Sequence, residues 1–496
     1  MEKTNPVLFK AFICFTVFLF GISLSHSQTI ISLEASIPIP DYPPYEDNRT
    51  VNRDHEPTIN YEPLVLSIPI DGLPDHIDTL FGLEKISLRI RHNRISDIKT
   101  ELISPDGTLM WVSNRNGKNG QDYRDAAFSQ RGFDGPISSA EPPFSGEYQP
   151  DGNMSNFNNG QNPNGLWTLK IYDFGTDTVG TFEKVSLIFG NNPARMKNSP
   201  CSLSNPSGCK CSRADGKLLP DLAISEVGTF ANMWEISYDP SKGYGMLMFE
   251  VRVMNIGEGP LELVGTDKWL CGTDTVASRH VRCKEGDVTN DSIYPRQIFE
   301  QNIYTLRNGQ FDKTVRTAGS MAFDGHPGHE HYHADYYARF TLLKPDDNQP
   351  DTSKWETLGS ARKASFCLWD MQFCDSENKK CDTQGQYFDE KNLSNYGFGT
   401  YRSCEDPRRQ GISVGGIDWY GLHYDGQNLI IPPDTKNGLY FLKIEIDPYN
   451  LYEEANESNN VLIMPVIFRF QNHFRIKQRI SPMKKEETKK KTKKTN

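Results

Sequence analysis

Between Gly328 and Phe340 the chain reads GHEHYHADYYARF, which sets His329, His331 and His333 at every second position. Side chains at i, i+2 and i+4 of a β-strand leave the same face. A strand here therefore aims three imidazoles at one point, which is what a metal ion requires. Tyr332, Ala334, Tyr336, Ala338, Phe340 and Leu342 form the complementary, mostly apolar set, fit to pack on a core. The chain has 11 histidines in 496 residues, so three in a five-residue window argue against a merely polar strand. Imidazole nitrogen suits copper, which divalent nitrogen sites bind most tightly among the common first-row ions. The same residues would also serve a zinc hydrolase with three histidines and a water.

The elements that must hold such a site read as β throughout. A hydrophobic fraction of 36%, an aromatic fraction of 11% and abundant Gly, Asn and Pro predict strands joined by long loops, and the length predicts two to four domains. Ile86, Leu88 and Ile90 alternate ahead of the turn Ser104-Pro105-Asp106-Gly107, a long Gly/Asn-rich loop follows from about Asn114 to Asn164, and Trp167 reads as core. Further on, Leu247, Phe249, Val251 and Val253 alternate, as do Tyr440, Leu442, Ile444 and Ile446. The expected organisation is a signal peptide over 1–27 and an extended leader over 28–60. A β-sandwich over 61–193, a Cys-containing linker over 194–218, a second β-sandwich with long loops over 219–470 and a basic disordered tail over 471–496 complete it. The fold class is all-β. No heptads, phosphate loops or basic recognition helix occur, which excludes nucleotide and nucleic-acid readings.

Secretion is expected on several grounds. Ala11–Leu24 is an apolar run preceded by Lys3 and Lys10 and followed by Ser25-His26-Ser27, a signal peptide cut after Ser27 rather than a transmembrane anchor. Sequons stand at Asn48, Asn153, Asn290, Asn392 and Asn456. Ten cysteines less Cys14 in the signal leave nine, an odd number that predicts disulfides and one thiol that is free or pairs with another chain. The net charge is −10; the lysine-rich end from Met483 carries +5, so the rest holds −15 and favours cationic partners.

Two resemblances refine this picture. The run NPNGLWTLKIYDFGTDTVGTFEKVSLIFG resembles the P domain, or homo B domain, of proprotein convertases, which implies a jelly-roll sandwich. Upstream there is no room for a protease, so this half is expected to be a folding partner or a module that engages an extracellular protein. The second region resembles the lysyl oxidase catalytic domain. The likeness rests on PDLAISEVG, the histidine strand, RKASFCL from Arg362, QGISVGGIDWYG and IDPYNLYEEANESNN.

That resemblance implies copper on His329, His331 and His333, with His326 nearby, and a lysine tyrosylquinone built from Lys363 and Tyr420. It implies oxidative deamination, with dioxygen, of peptidyl lysine or another primary amine to an aldehyde, releasing ammonia and hydrogen peroxide. Only a neutral amine adds to a quinone, and the apolar neighbours Ala364, Phe366 and Leu368 would help to keep Lys363 uncharged. Asp418 shares a strand face with Tyr420 and is the candidate base. Relative to the animal enzymes, Gly328, Gly416 and Gly426 stand where cysteines do. The expected bridges are Cys367–Cys374, Cys271–Cys283 and Cys381–Cys404, with the odd thiol in the linker. The competing reading is a non-catalytic extracellular protein whose histidines hold a structural metal.

Overall fold

Residues 29–39, TIISLEASIPI, alternate Ile31, Leu33, Ala35, Ile37 and Ile39 with outward-facing partners. They form a strand, Thr29–Ile39, antiparallel to Gly180–Gly190. The extended leader expected over 28–60 therefore opens as an integral strand of the first sandwich; its period of two places five apolar side chains on the core. The structure is a computed structural model that describes residues 28–41, 49–51, 57–59, 62–175, 180–194, 201–231, 233–239, 244–284, 295–324, 331–361, 365–376, 379–402, 409–421, 427–433, 435–469, 471 and 478–480. Strands dominate it, and Glu226–Ala231 is the one α-helix among these residues.

In the first sandwich a five-stranded sheet runs in the order Thr29–Ile39, Gly180–Gly190, Gly82–Arg91, Tyr123–Phe128, Glu147–Tyr148. It faces a four-stranded sheet ordered Leu64–Ile70, Gly165–Asp173, Ile98–Ile103, Leu109–Asn114. Ile86, Leu88, Ile90 and Trp167 are fully buried between them. Each such aliphatic side chain contributes about 1.5–3 kcal/mol. The indole of Trp167 donates to Pro163 O at 2.9 Å, which satisfies its one polar atom. The segment expected as a long loop from Asn114 contains two of these strands. It closes over its own aromatic cluster, Tyr123 stacking on Phe144 at 5.1 Å. Aromatics scattered among turn residues carry no period, which is why the alternation rule passes over them.

The second region is a set of antiparallel sheets around one core. The expected run from Leu247 to Val253 divides at Glu250 into two strands, Tyr244–Phe249 and Val251–Asn255, which belong to different sheets. The Glu250 carboxylate accepts from Arg252 Nε at 2.6 Å, a buried pair at the break. Tyr440, Leu442, Ile444 and Ile446 face the core from Gly438–Ile446 as expected. A third apolar cluster lies where the two sandwiches meet, with Ile103, Leu109 and Trp111 from the first and Trp369, Met371 and Trp419 from the second.

Cysteine pairing follows the expectation in part. Cys271–Cys283 forms, Cys201 pairs with Cys209, and Cys211 of the linker trio is the free thiol among the described residues. Cys374 pairs with Cys381, which overturns both Cys367–Cys374 and Cys381–Cys404. The reason is local. Residues 371–374 run along the strand Gly416–Tyr420, with Met371 N–H bonded to Ile417 O and Cys374 N–H to Gly415 O, and so lead Cys374 away from Cys367. Cys367 is itself disulfide-bonded. No helix among the described residues is long and apolar enough to cross a membrane. Of the sequons, Asn392 and Asn456 are exposed; Asn153 is buried and caps a 3-10 turn through Ser155 N, which removes it as an acceptor.

Candidate functional site

The histidine strand, His331–Ala334, lies at one end of the strand path of its sheet, antiparallel to Gln310–Asp324, with Ala322 opposite His333 and Phe323 opposite Tyr332. Tyr332 and Ala334 enter the core, and His331 and His333 leave the other face. Their Nε2 atoms lie 3.0 Å apart and their ring centroids 4.8 Å apart. Two imidazole nitrogens so close, on adjacent same-face positions of one strand, are a donor set that a copper or zinc ion accepts. His326 and His329 lie outside the described residues. The apolar series expected to run on unbroken is interrupted: Tyr336 takes φ +58° at a turn and is exposed. The next strand, Ala338–Lys344, joins a different sheet. Ala338 stands four positions after Ala334, an even step that preserves parity, so Ala338, Phe340 and Leu342 still face the core.

Backbone bonds fasten the described part of the RKASFCL segment, from Ser365 on, to this strand. Ala334 N–H donates to Phe366 O at 2.7 Å and Phe366 N–H to Ala334 O at 3.1 Å. Gln410, fully buried, reinforces the junction: its amide donates to Tyr332 O and accepts from Leu368 N. Asp335 adds a side-chain clasp. Its buried carboxylate accepts from Arg296 Nη1, from Ser320 Oγ at 2.7 Å and from Ser365 Oγ at 3.2 Å. Burial raises the Asp335 pKa, against the pull of Arg296 and the two hydroxyls. Lys363 lies outside the described residues, two positions before Ser365.

Tyr420 closes the constellation. It ends the strand Gly416–Tyr420, paired with Val251–Asn255, and it is 6% exposed. Its ring meets Phe366 edge-on with centroids 4.4 Å apart. Its hydroxyl is within 2.5 Å of Cys367 O and 2.8 Å of Asp418 Oδ2. The expectation that Asp418 shares the face of Tyr420 is met. One phenolic hydrogen serves one acceptor at a time, so the Tyr420 hydroxyl divides its donation between Cys367 O and Asp418 Oδ2. Tyr337 lies against Phe366 on another side, fully buried, and burial holds its hydroxyl far above the ordinary phenol range.

The clasp around Asp335 and the Gln410 tie carry no sequence pattern. Away from the histidines, one carboxylate oxygen each of Asp447, Glu454 and Glu457 lies within 4.8 Å of the others. Such an all-oxygen group suits hard cations rather than copper. Burial raises the pKa of all three, and repulsion from neighbouring carboxylates adds to it at Glu454 and Glu457.

Comparison with known proteins follows this geometry. Residues 84–189 match the family model of the proprotein convertase P-domain, and residues 273–478 match that of lysyl oxidase. The protein-lysine 6-oxidase of Bos taurus is 29% identical over 231 residues, covering 44% of this chain and 47% of the relative. That of Sus scrofa is 29% identical over 163 residues, covering 31% and 53%. Lysyl oxidase homolog 1 of Homo sapiens is 27% identical over 220 residues, covering 42% and 33%. The chain thus spans about half or less of the length of these relatives. Among solved structures, a complex of the Aeromonas sobria serine protease with its chaperone matches at 16% identity and TM-score 0.20, over 34% of this chain and 27% of that chain, too slight a likeness to carry an argument. The chain carries a lysyl oxidase domain preceded by a proprotein convertase P-domain.

Proposed function

We propose that this protein is a secreted, copper-dependent amine oxidase that deaminates peptidyl lysine or another primary amine to an aldehyde, with release of ammonia and hydrogen peroxide. The observation that carries the reading is one junction: the Ala334–Phe366 bridge brings the histidine strand to the ring that packs on Tyr420. His329, His331 and His333 would hold copper, and Lys363 and Tyr420 would form lysine tyrosylquinone. When bound, copper and dioxygen supply the oxidising power, and the quinone supplies the carbonyl that takes the substrate amine. The protein's own groups do the rest. Cys367 O and Phe366 fix the Tyr420 ring, and Phe366 and Leu368 are buried in the same core. The Asp418 carboxylate, 2.8 Å from the Tyr420 hydroxyl, takes the proton from the carbon beside the substrate nitrogen. Secretion fits the disulfides together with the apolar segment Ala11–Leu24.

The test is redox-cycling quinone staining of the copper-loaded protein, with tryptic mass spectrometry for a peptide that crosslinks Lys363 to Tyr420. Staining, the crosslink and amine-dependent peroxide release are expected together. Copper-loaded protein with neither stain nor crosslink would leave only a metal-binding extracellular module.

A further inference from the structure

We propose that the N-terminal sandwich is a clamp on the chain segment that supports Tyr420, so that the two sandwiches act as one unit. Trp111, at the edge of the first sandwich, is half-buried and meets Trp369 edge-on, with centroids 5.4 Å apart. The Lys99 ammonium, itself buried and paired with Glu101 at 2.6 Å, lies 4.6 Å from the Trp111 ring centroid. Trp111 is thus held between a fixed cation and the other sandwich, a setting that sharpens its position. One residue further along, Asn156 Nδ2 of the first sandwich donates to Asp370 O at 3.5 Å.

Both contacts fall on residues 369–370, and that short stretch is tied to the tyrosine strand on either side. Two residues before Trp369, the Cys367 carbonyl accepts the Tyr420 hydroxyl. Two residues after it, Met371 N–H donates to Ile417 O at 3.0 Å. The Asp370 carboxylate meanwhile accepts from Ser413 N at 2.8 Å and Ser413 Oγ at 2.6 Å, at the entry to the same strand. A load borne by Trp111 therefore reaches Tyr420 through one buried segment. Trp111 is a positioning residue, and the first sandwich supplies part of the rigidity of the tyrosine site. The clamp stands on these contacts alone; its consequence for catalysis rests on the amine-oxidase reading.

Hydrogen-exchange mass spectrometry on the full-length chain without added metal tests it. In W111A, amides of residues 367–373 and 416–420 are expected to exchange at least tenfold faster than in the parent. The exposed control V65A, elsewhere on the same sandwich, should leave them within twofold, and W111F should restore most of the protection. With copper saturating, W111A should also form quinone at least tenfold more slowly at unchanged copper affinity. Exchange at those amides no faster than in V65A, or a uniform rise across both sandwiches, would overturn the clamp. Local acceleration in W111A in a protein whose parent never forms quinone would uphold the clamp and remove the oxidase reading.

Discussion

At the scale of single residues, the hydroxyl of Tyr420 is the most constrained atom of the candidate site, held between a backbone carbonyl and a carboxylate. Replacing it in Y420F removes the one hydrogen bond that the hydroxyl donates, about 0.5–1.5 kcal/mol, which the fold tolerates. The expected phenotype is a folded, copper-binding protein with no quinone stain and no oxidase activity. D418N asks a narrower question. If Asp418 is the base, quinone still forms while turnover falls by about 10²–10⁴, with an enlarged isotope effect on the substrate carbon–hydrogen bond; an unchanged rate and isotope effect would reassign Asp418 to a structural role. His333, 7% exposed, is the better buried of the two described histidines of that strand, and H333A should abolish stoichiometric copper binding, read by equilibrium dialysis.

Among elements, the decisive relation is the register between the histidine strand and the segment Ser365–Cys367. Two backbone bonds set it, and Asp335 fastens it with three side-chain partners drawn from Arg296–Arg307, Gln310–Asp324 and Ser365 itself. D335N removes the carboxylate charge from the largely buried pair with Arg296, and breaking such a pair costs roughly 3–5 kcal/mol. Its melting midpoint should fall by several degrees or more. S365A removes only one contact, the 3.2 Å hydroxyl, and should leave the midpoint nearly unchanged while slowing quinone formation severalfold. Equal midpoints for D335N and the parent would show that the clasp bears no load.

For the molecule as a whole, buried carboxyls where the sandwiches meet set the pH dependence of stability. Burial pushes Asp151 up to about 7 and Asp370 up to about 6. Each binds its proton more tightly folded than unfolded. Their contribution is therefore complete below the unfolded carboxylate range, near pH 4, and is lost as pH rises through about 6 and 7. Lys380, which burial lowers to about 8, titrates at and above the top of that window. At the acid end Glu262 acts oppositely. Burial works to raise it, but Asn302 and Arg409 outweigh this and hold it low, so its contribution disappears as pH falls through the carboxylate range. The melting midpoint should therefore be highest near pH 5 and decline toward pH 8. In calorimetry, D151N and D370N should each flatten that decline.

Alternation alone determined a good deal of this protein. The period of two around His331 and His333, around Tyr440–Ile446 and in GIDWY specified strands and put Asp418 beside Tyr420, because one-face periodicity is a local property of the backbone. The same rule failed at Glu250 and at Tyr336, where the chain leaves one sheet for another without changing its apolar rhythm. Sheet membership depends on which distant strand offers its edge, and no local pattern records that. The Cys374–Cys381 pairing, the Asp335 clasp and the seating of Trp111 on Trp369 were decided only by the tertiary fold. The clasp and the Trp111–Trp369 contact join groups far apart in the unfolded chain and become favourable only after burial has removed the competing water; the bridge spans seven residues, but the strand Gly416–Tyr420 decides which partner Cys374 meets.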